Sequence, residues 1–340
     1  MNGLVGWTLH SFLLVPYFSW AFSHAKHHRH TNDLVDGETH CPPTAEDMGL
    51  IVSTDDENKT TTITHRASKE QVVQRMGHGP QPKTAATHMM YCFAQIHQIL
   101  GDDGFAIFGA MYRLLFAFQI YVLGITSTGL NGADGKPIPK GTFPDHFRPS
   151  SQLFPKKMFW KVVASDVGML LTLSGLTYCT YLFGFRAVWF WYGGPYLLIN
   201  AFLVATTWLH HTNPSVPHFD ADNWTWMKGG LAGTIDRPMG PITNFVSHNI
   251  SSTHVVHHLF HQIPHYHAVE ATEAIRDYLE PKGLYNFDPD DMDDALWRCA
   301  KTCHFIESNT QGVQYYQSLT DLTISDSAAT VAKDDCKKEQ

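Results

Sequence analysis

The sequence predicts an all-α integral membrane protein with a large helical aqueous cap that carries a histidine-rich metal site. Three observations carry this prediction. Four apolar runs approach membrane-spanning length, long polar stretches separate and follow them, and two identical HxxHH clusters, His24 to His28 and His254 to His258, stand more than two hundred residues apart.

The apolar runs are Gly3 to Phe22, Leu114 to Leu130, Val162 to Phe183 and Ala187 to Leu209. Each is close to the roughly 20 residues that a helix needs to cross the hydrocarbon layer. Mean hydropathy is nevertheless −0.19, because polar stretches such as Ser53 to Lys83 and the region after Pro264 are averaged with the runs. The net charge of −8 and the absence of a basic stretch interleaved with aromatics argue against nucleic acid as a partner. Six cysteines, at 41, 92, 179, 299, 303 and 336, show neither CxxC pairing nor the spacing of a disulfide framework. The cap is therefore expected to face a reducing compartment. No basic region precedes the first apolar run, which does not resemble a secretory signal.

In chain order, the first run contains His10 and Pro16 and ends at the first cluster, as expected of a segment that dips into the membrane without spanning it. A polar loop to about Pro82, an amphipathic stretch near Met90 to Met111 and a span from about Arg113 follow. Asn131 to Pro155 is a Gly/Pro-rich connection, and the long apolar region Val162 to Leu209 is interrupted by Gly184, Arg186, Gly193, Gly194 and Pro195. Helices are expected at Val269 to Leu279 and Met292 to Glu307, separated by Pro281 and Gly283, and residues 310–340 are expected to form a disordered cytosolic tail. If both clusters serve one site, an even number of crossings separates them. Three apolar runs lie between, so one must fail to cross, and the simplest count places one half of Val162 to Leu209 in the interface.

On a helix, positions i, i+3 and i+4 share a face. His24, His27 and His28 can thus project three imidazoles into one small volume, and so can His254, His257 and His258. Neutral imidazole suits iron, zinc, copper and nickel, and two facing triplets would suffice for a two-metal site. His210, His211 and His218 in "WLHHTNPSVPHFD" are further candidates, as are His261, His265 and His267, although the proline of "IPHYHA" takes the last two out of the helix. His65, His97 and His146 stand alone and are expected to be surface or hydrogen-bonded residues. Cys299, Cys303 and His304 fall in the amphipathic stretch "DDALWRCAKTCHFIE", which reads as a helix with buried cysteines. Neither HExxH nor paired glutamates with ExxH occur, so imidazole must dominate the coordination. Asp220, Asp222 and Asp236 are candidates for orienting the rings by accepting their outer N–H groups.

The stretches "LVPYFSWAFSHAKHHRHTN", "LHHTNPSVPHFDADNWTWMKGGLAGTIDR" and "HNISSTHVVHHLFHQIPHYHAVEAT" resemble the membrane fatty acid desaturases, most closely the endoplasmic reticulum delta-12 (oleate) type of fungi and plants. The resemblance runs over nearly the whole chain. It implies a single desaturase domain with two non-haem iron ions, which uses O2 and two electrons to introduce a cis double bond into a lipid-linked acyl chain. It also implies a separate cytochrome b5-type electron donor, since no HPGG haem motif occurs. The implied metal ligands are His24, His27, His28, His211, His254, His257 and His258, with no catalytic residue beyond them. Asn213 stands where many relatives have histidine. Relatives carry two earlier spans and a further box, HxxxH in the form HECGH, ahead of the segment with which this chain begins, so the resemblance implies a shortened chain.

The same scaffold also admits a hydroxylase, epoxygenase or acetylenase, or an inactive membrane subunit. Metal transport is a weaker alternative, because the triplets stand at membrane edges and not within the spans. The terminal "KKEQ" resembles a dilysine retrieval signal, in keeping with an endoplasmic reticulum membrane and cytosolic clusters.

Overall fold

The computed structural model describes residues 2–48, 50–55, 60–64, 84–125, 129–139, 142–308 and 312–319. The first apolar run forms two helices, α1 (Asn2–Phe12) and α2 (Tyr17–Arg29). Pro16, which has no N–H to donate and fixes its own φ, separates them, with Leu14 left-handed at φ 51° in the same turn. At 11 and 13 residues, neither helix is long enough to cross a bilayer. Within the stretch read as a polar loop, β1 (Ile51–Asp55) and β2 (Thr60–Thr64) pair antiparallel, Ile51 opposite Thr64.

The amphipathic stretch and the span read separately from the sequence are one element, α3 (Thr84–Val122), kinked at Gly101 where φ is +68°. It ends at Val122 and does not continue to Leu130. The long apolar region divides at Gly184, whose φ of 81° favours glycine. Before it lies α4 (Phe159–Phe183), entered through a 3-10 turn. After it, Phe185–Val188, a π-helical turn Trp189–Gly193 and α5 (Gly194–His211) follow one another. Among the described residues, three helical stretches are long and apolar enough to cross a membrane: Ile99–Val122, Lys156–Phe183 and Phe185–His211. Both halves of the region from Val162 to Leu209 therefore have spanning length.

The cap is built by α6 (Trp226–Ala232), α7 (Gly240–Val246), α8 (His254–Leu259), α9 (Ala268–Leu279) and α10 (Met292–Thr302), with the short antiparallel pair β3 (His218–Phe219) and β4 (Val313–Gln314). Its core closes where Ala106 and Ala110, one turn apart on α3, admit Ala295, Cys299 and Ala300 of α10 and the following Cys303 against Trp208 and Leu209. As the sequence indicates, both thiols are buried, Cys299 on the helix face and Cys303 at the residue that ends the helix. Helix α10 stops at Thr302, short of the expected Glu307, and His304 to Ile306 turn into bridges with Gln317 and Thr44. The placement of residues 312–319 in a disordered tail is corrected: β4 pairs with β3, and Leu319 packs beside Phe105 and Phe305. Residues 320–340, with the terminal KKEQ, lie outside the described residues.

Both ends of the apolar part of α3 are fastened to the cap. Phe105 packs with Ala45, Met48, Phe305 and Leu319. At the other end Tyr121 donates to a Glu38 carboxylate oxygen at 3.0 Å, and the Val122 carbonyl accepts from His146 N–H at 2.9 Å.

Candidate metal centre

Helix α2 aims its basic face into the protein: His27 and His28 are buried and His24 is partly buried. Helix α8 presents His254, His257 and His258 toward it, and the last turn of α5 adds His211. The seven histidines expected from the sequence meet in one place. Ligand nitrogens of His24, His28 and His257 lie within 4.8 Å of one another, and so do those of His27, His211 and His258. The two groups adjoin, with the His28 and His258 rings stacked at 4.2 Å. His254 bridges toward both, its Nε2 3.1 Å from His211 Nε2 and its ring 5.4 Å from that of His257.

The hydrogen bonds around the second group fix its tautomers. His27 Nδ1–H donates to the Glu38 carbonyl at 3.0 Å, and His211 Nδ1–H donates to the Gly233 carbonyl at 3.0 Å. Each neutral ring is then left with a lone pair on Nε2. These two Nε2 atoms face each other at 3.1 Å. Two lone pairs at that distance repel, and a shared cation resolves the conflict. The Thr31 hydroxyl donates to the His27 carbonyl and so must accept from His258 Nδ1–H, at 3.0 Å. His258 Nε2 is buried and has no hydrogen-bond partner among the described residues. Three imidazoles thus turn bare Nε2 atoms inward while oxygens hold their outer nitrogens, an arrangement that metal-binding histidines share.

The electrostatics agree. Burial first, and neighbouring imidazoles second, push His24 down to about 4, and burial followed by His261 does the same for His257. His27, His28, His254 and His258 are lowered further, with burial the largest cause. All six rings are neutral near pH 7, the form that ligates metal. The residues present therefore fit two imidazole-bound transition-metal ions.

The remaining candidates separate cleanly. His210 stacks behind His254 at 4.2 Å and its Nε2–H donates to the Ser251 carbonyl. His218 packs edge-on to Tyr316 at 5.0 Å, outside both triplets. His261 is exposed, 5.9 Å from the His28 ring. His265 and His267 sit in an exposed 3-10 turn, so the break at Pro264 is where the sequence puts it. His97 pairs with Asp102 at 2.8 Å and His146 bonds the Ser23 hydroxyl at 2.8 Å. His65 lies outside the described residues.

Among the described residues, none of the three candidate aspartates touches an imidazole nitrogen. Asp220 accepts from Asn223 and from Gly312 N–H, and Asp222 is exposed. Asp236 is fully buried and holds the helix, not a ring: its carboxylate accepts Val255 N–H at 2.8 Å at the start of α8 and the Tyr285 hydroxyl. Asn213 donates to Asp288 at 2.9 Å, within the buried network of Asp288 with Arg237 and Arg298. The groups that orient the rings are Glu38 and Gly233 carbonyls and the Thr31 hydroxyl. A backbone carbonyl has no sequence signature, so only the threonine was available to be found.

Sequence reasoning also missed His40, which belongs to no HxxHH cluster. Its ring lies 5.2 Å from His211 and 5.8 Å from His27. A cavity opens from this face of the centre. His24, His27, His40, His211 and His254 line one part, and Phe105, Ala117, Phe118, Leu203, Val204 and Trp208 supply apolar wall.

Comparison with known proteins agrees with this architecture. The family model for fatty acid desaturases matches residues 102–288, which include His211, His254, His257 and His258. An omega-6 fatty acid desaturase of the endoplasmic reticulum from Brassica juncea is 33% identical over 312 residues, 92% of this chain and 66% of the relative. A delta(12) fatty acid desaturase from Mortierella isabellina is 31% identical, covering 91% of this chain and 67% of the relative. A delta(12) fatty acid dehydrogenase from Crepis alpina is 33% identical, covering 93% and 70%. The chain spans about two thirds of the length of these relatives. With more than half of its residues matched by the family model and both imidazole triplets assembled, the chain belongs to the fatty acid desaturase family.

Proposed function

We propose that this protein is an acyl-lipid desaturase of the endoplasmic reticulum membrane, introducing a cis double bond at the delta-12 position with O2 and two electrons from a cytochrome b5-type donor. One observation carries the reading: inward-facing, unprotonated imidazole nitrogens from α2, α5 and α8 meet at an apolar cavity. A mid-chain methylene has no acidity for a general base to exploit, so its C–H bond calls for metal-activated oxygen. Two non-haem iron ions, held by His24, His28 and His257 and by His27, His211 and His258, with His254 between them, would supply that chemistry.

The rest belongs to the chain itself. Phe118, Leu203, Val204 and Trp208 give an acyl segment a dry wall and exclude water from the reacting methylenes. Trp20, stacked on His24 at 4.7 Å, closes the wall beside the first triplet. Glu38, Gly233 and Thr31 keep the ligating nitrogens aimed while substrate enters and leaves.

The proposed topology has two crossings, Lys156–Phe183 and Phe185–His211, joined at Gly184, with both clusters on the cytosolic side. In support, exposed aromatics flank this hairpin at both levels: Phe159 and Trp160 at its start, and Tyr181, Phe183, Phe185, Phe190 and Trp191 around the turn. Such belts mark membrane interfaces. The stretch from Phe159 to Tyr181 rises roughly 33 Å at 1.5 Å per residue, close to the hydrocarbon thickness. Helix α3 stays with the cap, since both of its apolar ends bond or pack to cap residues. This restores the even number of crossings that a shared site requires.

The test is lipid analysis of yeast that lacks delta-12 activity and expresses the chain. A new diene, lost in His27→Ala and His211→Ala, is the expected result. Hydroxylated, epoxidised or triple-bonded acyl chains would replace desaturation by another oxidation on the same scaffold.

A further inference from the structure

We infer that His40 is an additional metal ligand, serving the ion held by His27, His211 and His258. The inference rests on the metal reading above and concerns a residue outside the HxxHH clusters.

Position is the first argument. The His27 and His211 rings are 4.5 Å apart, and His40 lies against both, stacked on His211 with 27° between the planes. It faces the same cavity as these two ligands. Among the described residues neither of its ring nitrogens makes a hydrogen bond, whereas His27 and His211 each have one nitrogen fixed by a carbonyl. A partly buried imidazole without a hydrogen-bond partner among the described residues, its ring beside those of two ligands, is free to offer its own lone pair.

Backbone conformation is the second argument. Thr39 and His40 are consecutive non-glycine residues in the left-handed region, at φ 58° and 50°. Each such residue costs of order 1–3 kcal/mol and persists only where the surroundings over-determine it. Here the strain has a visible product. The turn brings the Glu38 carbonyl and the Thr39 hydroxyl to His27 Nδ1, at 3.0 and 3.1 Å, and in the same movement delivers the His40 ring to His211.

Coordination is the third. Three imidazoles leave a first-row transition ion short of its preferred ligand number, and a fourth nitrogen donor raises its retention.

The test uses the full chain in detergent, loaded anaerobically with Fe(II) or, for spectroscopy, Co(II). His40→Phe keeps an aromatic ring on His211 and removes the donor. His40→Asp keeps a ligand atom and tolerates the left-handed backbone. Chelator competition and the visible Co(II) ligand-field bands are read alongside a thermal melt. We expect His40→Phe to release one ion of two at about ten-fold lower chelator concentration with altered Co(II) bands, and His40→Asp to restore retention in large part. If His40→Phe does not fold, His40→Gly replaces it, since glycine accepts positive φ and carries no donor atom. Equal retention and unchanged bands in a folded, donor-free variant would overturn the inference while leaving the metal reading intact. A wild-type chain that binds neither Fe(II) nor Co(II) would instead remove the metal reading itself.

Discussion

At the scale of single residues, the centre is set by which nitrogen of each ring carries the proton. Thr31 decides this for His258, accepting its Nδ1–H while donating to the His27 carbonyl. Thr31→Val should lower metal affinity or activity roughly 10- to 100-fold, the usual effect of removing such a partner, while Thr31→Ser retains most of it; chelator competition separates the two. His304, which lines the same cavity but belongs to neither metal-ligand group, offers a pH-dependent counterpart. Its Nε2–H donates to the Ala300 carbonyl and its Nδ1 accepts Leu319 N–H, so the folded state requires the neutral ring. Burial lowers its pKa to about 4, against 6.5 in an unfolded chain. The unfolded ring takes up a proton first as pH falls. The stability it contributes is thus complete above about pH 6.5 and is lost as pH drops through about 4. Hydrogen exchange at the Leu319 amide should accelerate over that interval, and unchanged protection would refute the assignment.

At the scale of elements, what matters is how six-residue α8 holds three ligands in register. It has no side-chain N-cap of its own from Thr253. Asp236, distant in sequence, takes that role by accepting the Val255 N–H. Asp236→Ala should destabilise the protein by about 1–3 kcal/mol, the penalty for leaving buried partners unsatisfied, and Tyr285→Phe should do less; denaturant unfolding measures both. The HxxHH spacing made α2 and α8 and their ligating faces legible in the sequence, because helical periodicity is local. Asp236 was visible only as one of three aspartates, because its partner comes from the fold. His40 was invisible for the same reason: "ETHCP" has no periodicity, and only the left-handed turn brings its ring to His211. That the amphipathic stretch and the apolar run form one helix ending at Val122 was not legible, because the contacts of α3 with Glu38, Phe305 and Leu319 are long-range.

At the scale of the whole molecule, the apolar stretches Lys156–Phe183 and Phe185–His211 meet at Gly184, and His211 is the last residue of the second, which delivers it to the centre. Single cysteines placed at Arg186 and Asp222 in a cysteine-free background should react with a membrane-impermeant maleimide from opposite faces of sealed microsomes. Labelling of both from one face would refute the two-crossing arrangement. The paired bare nitrogens of His27 and His211 have a consequence for the life of the protein in the cell. Ions that bind the folded chain and not the unfolded one add to its stability, so a newly synthesised chain still without them is more exposed to degradation than the loaded form. Iron starvation should therefore reduce how much of the protein accumulates as well as how fast each copy works, and immunoblots across an iron titration would reveal the difference.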